Sequence, residues 1–209
     1  MADFNVWYSY AQKWEGFYSN SPNDTGGETY KGIARNHNPD WAGWAVVDAE
    51  KARFGGKLKH NHKINSPALD NLVSQLAKKN YWNPVQGDLI KNQSIASLLA
   101  DARWGGDAGK YTVRNFQKYL GILPDGKIGN GTIGAINSAN SKNAFAELKK
   151  IRANYFKRAG TVAKNSGWVN GWLNRLRDLD FIPDTIKNPG NIVIIAGLVC
   201  AAFLILNRK

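Results

Sequence analysis

The 209-residue chain has few cysteines and few histidines, and each shortage excludes a class of protein. The single cysteine, Cys200, lies in an apolar segment near the C-terminus, so the residues before it cannot form a disulfide framework and must be stabilised by packing. The three histidines, His37, His60 and His62, come without an HExxH motif or a cysteine pair, which argues against a zinc peptidase or amidase. We therefore expect neither a metal nor a cofactor.

Acidic side chains are also scarce, with 16 Asp and Glu against 28 Lys and Arg, and the net charge is +12. Such a basic protein is attracted to polyanions such as nucleic acid, anionic lipid or an anionic cell wall. The basic residues are scattered and form no run of five or six, whereas phosphate binding usually gathers them into a stripe, so we expect no nucleic-acid partner. The N-terminus, MADFNVWYSYAQKW, lacks the basic leader and apolar core of a secretory signal.

The C-terminal end differs from the rest, because residues 192–206, IVIIAGLVCAAFLIL, contain no polar side chain. About 20 apolar residues usually span a bilayer, and a short apolar run is also typical of a buried core helix. This run is apolar on every face, follows the breaker IPDTIKNPG and ends in NRK, whose cations suit lipid headgroups. The pattern favours a transmembrane or membrane-anchor helix over 192–206, with a linker over 183–191. We expect a host or virion membrane, with the body on its outer side.

The body reads as mostly α with one small β-hairpin, since apolar residues recur at helical spacing along most of its length. The hairpin is expected between Thr25 and Ala34, where paired glycines precede an alternating run. Helices are predicted from Phe4 to near Gly16, from Ser66–Pro67 to Ala77, and over 95–104, 111–120, 132–137, 145–159 and 168–179.

Glu15 is an unusual acid, because it lies at the predicted end of the first helix beside Trp14, Phe17 and Tyr18. A helix C-terminus and an apolar wall both disfavour a negative charge. The two effects favour the protonated acid, which is what a general acid needs in order to protonate the leaving oxygen of a glycosidic bond. A solvated glutamate at a helix end is the ordinary alternative.

A glycosidase needs a second polar group near the sugar, and three residues after Glu15 are candidates. Asp24 lies nine positions later in a polar loop, where an Asx-turn is its alternative role. Glu28 and Thr29 lie on the predicted hairpin and point to opposite faces, so only one of them is expected to face substrate. The Thr29 hydroxyl is suited to hold a water molecule.

The segment EGFYSNSPNDTGGETYKGIA, which starts at Glu15, resembles the Glu-Gly-Gly-Tyr region of glycoside hydrolase family 108. This family comprises phage-type endolysins and secretion-activator-like N-acetylmuramidases, and its catalytic glutamate maps onto Glu15. Phe17 departs from the pattern, since the family usually has a second glycine there. The order of Glu15, Asp24 and Thr29 is similar to the Glu, Asp and Thr triad of the other main phage lysozyme family. The resemblance implies a lysozyme-like α+β fold, with these three residues catalytic and the family's peptidoglycan bond as target.

The second half of the body has a resemblance of its own, to the predicted peptidoglycan-binding region that accompanies these muramidases. It is carried by residues 95–120 and by PDGKIGNGTIGAIN at 124–137. The implied domains are a catalytic one over 1–92 and a peptidoglycan-binding one over 93–182. Expected substrate contacts, most of them aromatic, are Tyr18, Glu28, Tyr30, Tyr81, Trp82 and Trp104.

The resulting hypothesis is a monomeric, membrane-anchored lysozyme that cleaves the β-1,4 bond between N-acetylmuramic acid and N-acetylglucosamine. Its partners would be peptidoglycan and a lipid membrane. Two alternatives remain open: a non-catalytic membrane-tethered wall-binding protein, and a lytic transglycosylase acting on the same bond. Phage lysis, virion entry and export are equally compatible with the sequence.

Overall fold

The computed structural model describes residues 1–21, 26–107, 110–161 and 167–184, and the contacts of the chain divide it into two units. The first unit is Tyr8–Asn83, and the second unit combines Met1–Trp7 with Pro84–Lys209. The described residues are mostly helical, as predicted, and contain one small sheet. Helix α1, Phe4–Trp14, contributes its first four residues to the second unit and the remainder to the first.

Besides the end of α1, two helices form most of the first unit: α2, Gly43–Arg53, and α3, Pro67–Ala77, which a turn of π-helix, Lys78–Trp82, extends. The predicted start of α3 is confirmed, because Ser66 Oγ accepts a hydrogen bond of 3.2 Å from Leu69 N and Pro67 is the first helical residue. Helix α2 was not predicted. Its buried residues, Gly43, Trp44 and Val47, all lie in its first half. The sequence therefore shows no apolar stripe along the whole helix, which is the pattern that predicts one.

The sheet has three short antiparallel strands where the sequence predicts a hairpin alone: β1, Tyr18–Ser19, β2, Thr29–Tyr30, and β3, Ile33–Ala34. The predicted hairpin corresponds to β2 and β3, in which Tyr30 pairs with Ile33. Lys31 and Gly32 make the two-residue turn with φ of 46° and 79°, which matches the twist of the flanking strands. Strand β1 adds the pairing of Tyr18 with Tyr30, and it was missed because two residues show no alternation.

The core of the first unit lies between this sheet and helices α2 and α3. Its buried members are Tyr18, Tyr30, Ile33, Trp44, Val47, Ile64, Leu69 and Val73. The hydroxyl of Tyr30 donates to the carbonyl of Ile64 at 3.3 Å and accepts from its N–H at 3.2 Å, so the buried phenol is satisfied on both sides. Burial raises the pKa of Tyr30, which keeps the hydroxyl neutral in this core.

Five helices form the described part of the second unit: α4, Gln93–Trp104, α5, Thr112–Tyr119, α6, Asn130–Ser138, α7, Ser141–Ala159, and α8, Val169–Arg177. The sequence predicts all five, with bounds that differ by a few residues at the ends. Helix α4 is buried over most of its length, and the long helix α7 packs against α4, α5, α6 and α8.

Buried ion pairs connect the helices of the second unit. Arg152 of α7 is fully buried, and its Nη1 lies 3.5 Å from Oδ2 of Asp107. Asp107 also accepts hydrogen bonds from the N–H groups of Tyr111 and Thr112, at 3.0 and 2.8 Å, where α5 begins. The guanidinium of Arg175 in α8 lies 2.7 Å from the carboxylate of Asp101 in α4. The four charged side chains therefore tie α4, α5, α7 and α8 to one another.

The predicted membrane-anchor helix over 192–206 and most of the predicted linker lie outside the described residues. Within the described ranges, every helix is too short or too polar to cross a bilayer. The anchor stays a prediction from the sequence.

We expect Gly105→Ala to lower the free energy of unfolding by about 1–3 kcal/mol. A Cβ at Gly105 would lie 2.5 Å from Nη2 of Arg152, whose buried side chain has no room to move aside. Urea denaturation followed by circular dichroism measures the change. Gly134→Ala, inside α6, is the matched control, because nothing lies within 4 Å of its added Cβ. The free energy of unfolding of the control should rise by about 0.5–1 kcal/mol, because alanine favours a helix over glycine. Equal stabilities of the two variants would show that Arg152 does not exclude a side chain at Gly105.

Candidate active site

Glu15 directly follows the last residue of α1 and is half-buried. It therefore lies at the C-terminal end of this helix. Of the aromatic residues expected beside it, Trp14 is 37% exposed and Phe17 is half-buried against the core of the first unit. The acid thus lies where helix α1 gives way to strand β1.

Asn61 holds the segment that links Glu15 to β1. Its Oδ1 accepts a hydrogen bond of 2.9 Å from Phe17 N, and its own N–H donates to the carbonyl of Tyr18 at 2.7 Å. A Cβ on Gly16 would lie 3.3 Å from the same Oδ1, so glycine permits this close approach. Asn61 has φ of 61°, a conformation that asparagine tolerates better than most residues. Sequence reasoning missed this role because no local pattern marks a contact between residues 44 positions apart.

Phe17, which occupies the family's glycine position, has a structural explanation. Its ring packs against the core of the first unit, and the ammonium groups of Lys31 and Lys63 lie 5.7 and 5.6 Å from the ring centroid. Each such contact is worth about 0.5–1 kcal/mol at an exposed site. Lys31 also pairs with Asp70 of α3 at 2.7 Å, so the ring belongs to a contact that joins the β2–β3 turn to α3.

Glu28 is a buried carboxylate, 9% exposed, and its partners come from three parts of the first unit. Tyr18 in β1 donates its hydroxyl to Oε1 at 2.8 Å, and Lys51 Nζ in α2 lies 2.8 Å from the same oxygen. Arg35 Nε, just after β3, lies 2.9 Å from Oε2, and its guanidinium stacks 4.4 Å from the centroid of Trp44. Burial and the carboxylate of Glu28 raise the pKa of Tyr18 to about 12, so its hydroxyl remains a donor.

The predicted polar residues after Glu15 therefore occupy different environments. Both oxygens of Glu28 have protein partners, so its expected role in substrate binding is corrected to one of supporting the sheet. The hydroxyl of Thr29 donates to the carbonyl of Gly27 at 3.1 Å, which leaves its oxygen able to accept from water. Asp24 lies outside the described residues.

Three of the aromatic residues predicted to contact sugar belong to the interior. Tyr30 and Trp82 are 0% exposed and Tyr18 is 3% exposed, so none of the three offers a ring face for stacking. The prediction is wrong for these three because sequence spacing does not separate core aromatics from those that line a groove. Tyr81 and Trp104 are half-buried and keep part of their rings accessible.

The histidines do not point to a metal. His62 Nε2 lies 3.1 Å from Glu50 Oε1, and its ring packs at its edge against Phe54. His37 and His60 are exposed. The described residues contain no group of three or more histidine, cysteine, aspartate or glutamate side chains able to hold a metal ion.

Known proteins resemble both parts of the chain. Residues 8–106 match the family described as Glycosyl hydrolase 108, and residues 111–177 match the family described as Predicted Peptidoglycan domain. The solved structure titled "Structure of Brucella abortus SagA" is 25% identical with a TM-score of 0.53, over 84% of this chain and 94% of that chain. No curated protein matches the sequence. Together, the two families indicate a peptidoglycan-related, lysozyme-like function.

We expect Glu28→Gln to destabilise the first unit more than Tyr18→Phe does. The glutamine removes the buried carboxylate of two ion pairs, although Arg35 and Lys51 keep Asp48 at 2.7 and 3.8 Å, and we expect a cost of about 2 kcal/mol. The phenylalanine removes a single hydrogen bond while both ion pairs remain, which costs about 1 kcal/mol. Urea denaturation monitored by tryptophan fluorescence compares the two variants. Equal losses would show that the two ion pairs with Glu28 contribute no more than the single hydrogen bond from Tyr18.

Proposed function

Because residues 8–106 belong to the glycosyl hydrolase 108 family and residues 111–177 to the predicted peptidoglycan domain, we propose that this protein is an N-acetylmuramidase. Its reaction is hydrolysis of the β-1,4 bond between N-acetylmuramic acid and N-acetylglucosamine. The observation that carries the proposal is the position of Glu15, a half-buried acid at the C-terminal end of α1 within the hydrolase-like segment.

In the proposed mechanism, Glu15 donates its proton to the oxygen of the leaving sugar as the glycosidic bond breaks. Thr29, and Asp24 five residues before it in the sequence, position the attacking water or stabilise the oxocarbenium-like state. Thr29 suits the first role, because its hydroxyl proton is given to Gly27 and its lone pairs accept from water.

Support for Glu15 also comes from its surroundings. Asn61 fixes the backbone of residues 17 and 18 on one side, and α1 fixes the residue before Glu15 on the other. A general acid must stay within hydrogen-bond reach of the oxygen that it protonates, so such fixed flanking backbone is of direct use to catalysis.

We expect Glu15→Gln to lower the rate of peptidoglycan cleavage by about 10²- to 10⁴-fold, because the amide has no proton to donate as an acid. The full chain would be assayed on purified peptidoglycan for loss of turbidity and for new reducing ends. Asp40→Asn is the control, since it changes the charge of the same unit equally at an exposed loop position.

Three outcomes would overturn the proposal. Equal rates for Glu15→Gln and the parent chain would remove Glu15 from the mechanism. New amino groups in place of reducing ends would mean that the protein cleaves peptide or amide bonds, and anhydro-sugar products would mean a lytic transglycosylase.

We also propose that residues 192–206 anchor the enzyme to a membrane with its body facing the cell wall, on the basis of their continuous apolar sequence and the cations that follow. The full chain is expected in the membrane fraction after cell disruption, and a chain ending at Gly190 in the soluble fraction. Detection of each on an immunoblot, with high-salt and detergent washes, makes the comparison. Equal partition of the two would exclude the anchor.

A further inference from the structure

An open groove of about 640 Å³ lies along α7 and α8 in the second unit. Its apolar lining is aliphatic and comes from Ala146 and Ala153 in α7 and from Leu173 and Leu176 in α8. Leu176 is buried, while Ala153 and Leu173 are half-buried, so the groove has an apolar floor that remains open to a ligand. All of its lining residues fall between residues 146 and 177, within the segment that matches the predicted peptidoglycan domain.

Cations surround this floor. The basic lining residues are Lys149, Lys150, Lys157 and Arg177. The ammonium group of Lys149 donates to the carbonyls of Arg177 and Leu179, at 3.2 and 2.6 Å, and so closes the end of α8. The other three are exposed, and the contact of Lys150 with Glu147 at 3.4 Å is a weak surface pair.

The composition of the lining identifies the chemistry of the ligand. Among the described residues that line the groove, none is acidic and none is aromatic. Although Glu147 lies 3.4 Å from Lys150, the four cations of the lining outnumber it, and such a positively charged rim is complementary to an anion. Sugar rings stack by preference on flat aromatic faces, which this groove does not offer. An aliphatic floor with a cationic rim instead suits a short peptide that carries small apolar side chains and carboxylates.

The spacing of the rim cations fits an extended peptide. Lys150 and Lys157 are seven residues apart on one helix face, which at 1.5 Å per residue separates them by about 10 Å along the axis. An extended chain advances about 3.3 Å per residue, so two carboxylates about three residues apart reach both cations.

We propose that this groove binds the peptide stems of peptidoglycan, which combine alanine methyl groups with several carboxylates. The inference rests on the proposed function, because that function makes peptidoglycan the substrate. It assigns recognition of the peptide to the second unit, while the glycan bond is the target of the unit that contains Glu15.

The test uses the full chain carrying Glu15→Gln and a synthetic stem tetrapeptide, alanyl-γ-glutamyl-diaminopimelyl-alanine, titrated by NMR. Lys150→Glu with Lys157→Glu is expected to weaken peptide binding by about tenfold or more, since both rim cations are reversed. Lys118→Glu with Lys142→Glu is the matched control, because these exposed lysines of the same unit lie outside the groove and change the net charge equally. The control is expected to change binding less than about twofold.

A second variant tests the floor without changing any charge. Ala153→Leu fills the groove at a half-buried position and is expected to weaken binding of the tetrapeptide, while circular dichroism confirms that the helices persist. A tetrapeptide with amidated carboxylates should bind the parent chain about tenfold more weakly than the charged peptide.

Four results would overturn the proposal. If the groove pair and the control pair of lysine substitutions weaken peptide binding equally, the effect is one of net charge alone. If neither the lysine variant nor Ala153→Leu changes peptide binding, the peptide binds elsewhere. Loss of chitotetraose binding in the groove variants would make the groove a glycan site. Loss of binding to phosphatidylglycerol vesicles, with peptide binding intact, would make it a lipid site.

The outcome is separable from that of the proposed function. If the groove variants lose the peptide while the parent chain releases no reducing ends, the groove assignment stands and the muramidase proposal fails. If the parent releases reducing ends and the groove variants bind peptide as the parent does, the muramidase proposal stands and the groove assignment fails.

Discussion

The pairing of a few buried carboxylates with cations is the constraint on which both units depend. A buried charge without a partner costs several kcal/mol, and each of these carboxylates meets the requirement by joining separate elements. Glu28 joins β1, α2 and the residue after β3 in the first unit. Asp101 and Asp107 join α4 and the start of α5 to α7 and α8 in the second. The same contacts that neutralise the charges therefore fix how the elements of each unit pack.

This constraint determines how Glu15 is presented. Strand β1 begins three residues after Glu15, and it is held by the bond from Tyr18 to Glu28 and by the two backbone contacts with Asn61. Helix α1 ends one residue before it. The acid thus lies on a short connection between two fixed elements, and its backbone has little freedom. Preorganisation of this kind is more precise than a site on a long loop, and it arises here from residues that take no part in the chemistry.

Sequence reasoning found what local patterns encode. Helices with a clear apolar period, such as α4 and α3, of which α3 also has the predicted start at Ser66, were predicted to within a few residues. The place of Glu15 at the end of α1 was also predicted. Strand β1 and helix α2 were not, because two residues show no alternation and α2 buries too few positions to show a period.

The remaining errors concern contacts between residues far apart in sequence. Tyr30 and Trp82 are buried because other parts of the chain cover them, and the sequence around each residue does not reveal that cover. The partners of Glu28 are 7 and 23 residues away, Arg35 and Lys51, and Asn61 reaches back 44 residues to Phe17. The sequence likewise gives no reason for Phe17 in place of a glycine, because the cations that lie near its ring, Lys31 and Lys63, are 14 and 46 residues away.

The surplus of positive charge serves two purposes in this chain. With 28 basic against 16 acidic residues, the buried carboxylates always have cations available, and pairing consumes only a few of them. The paired cations, such as Arg152 and Lys51, are fixed and contribute to the fold. Other described cations are exposed, such as Lys150 and Lys157 along α7, where they attract anionic polymers and raise their local concentration. The excess of basic over acidic residues therefore has two effects. It supplies a cation for each of these buried carboxylates, and it leaves unpaired positive charge at the surface, which attracts anionic polymers.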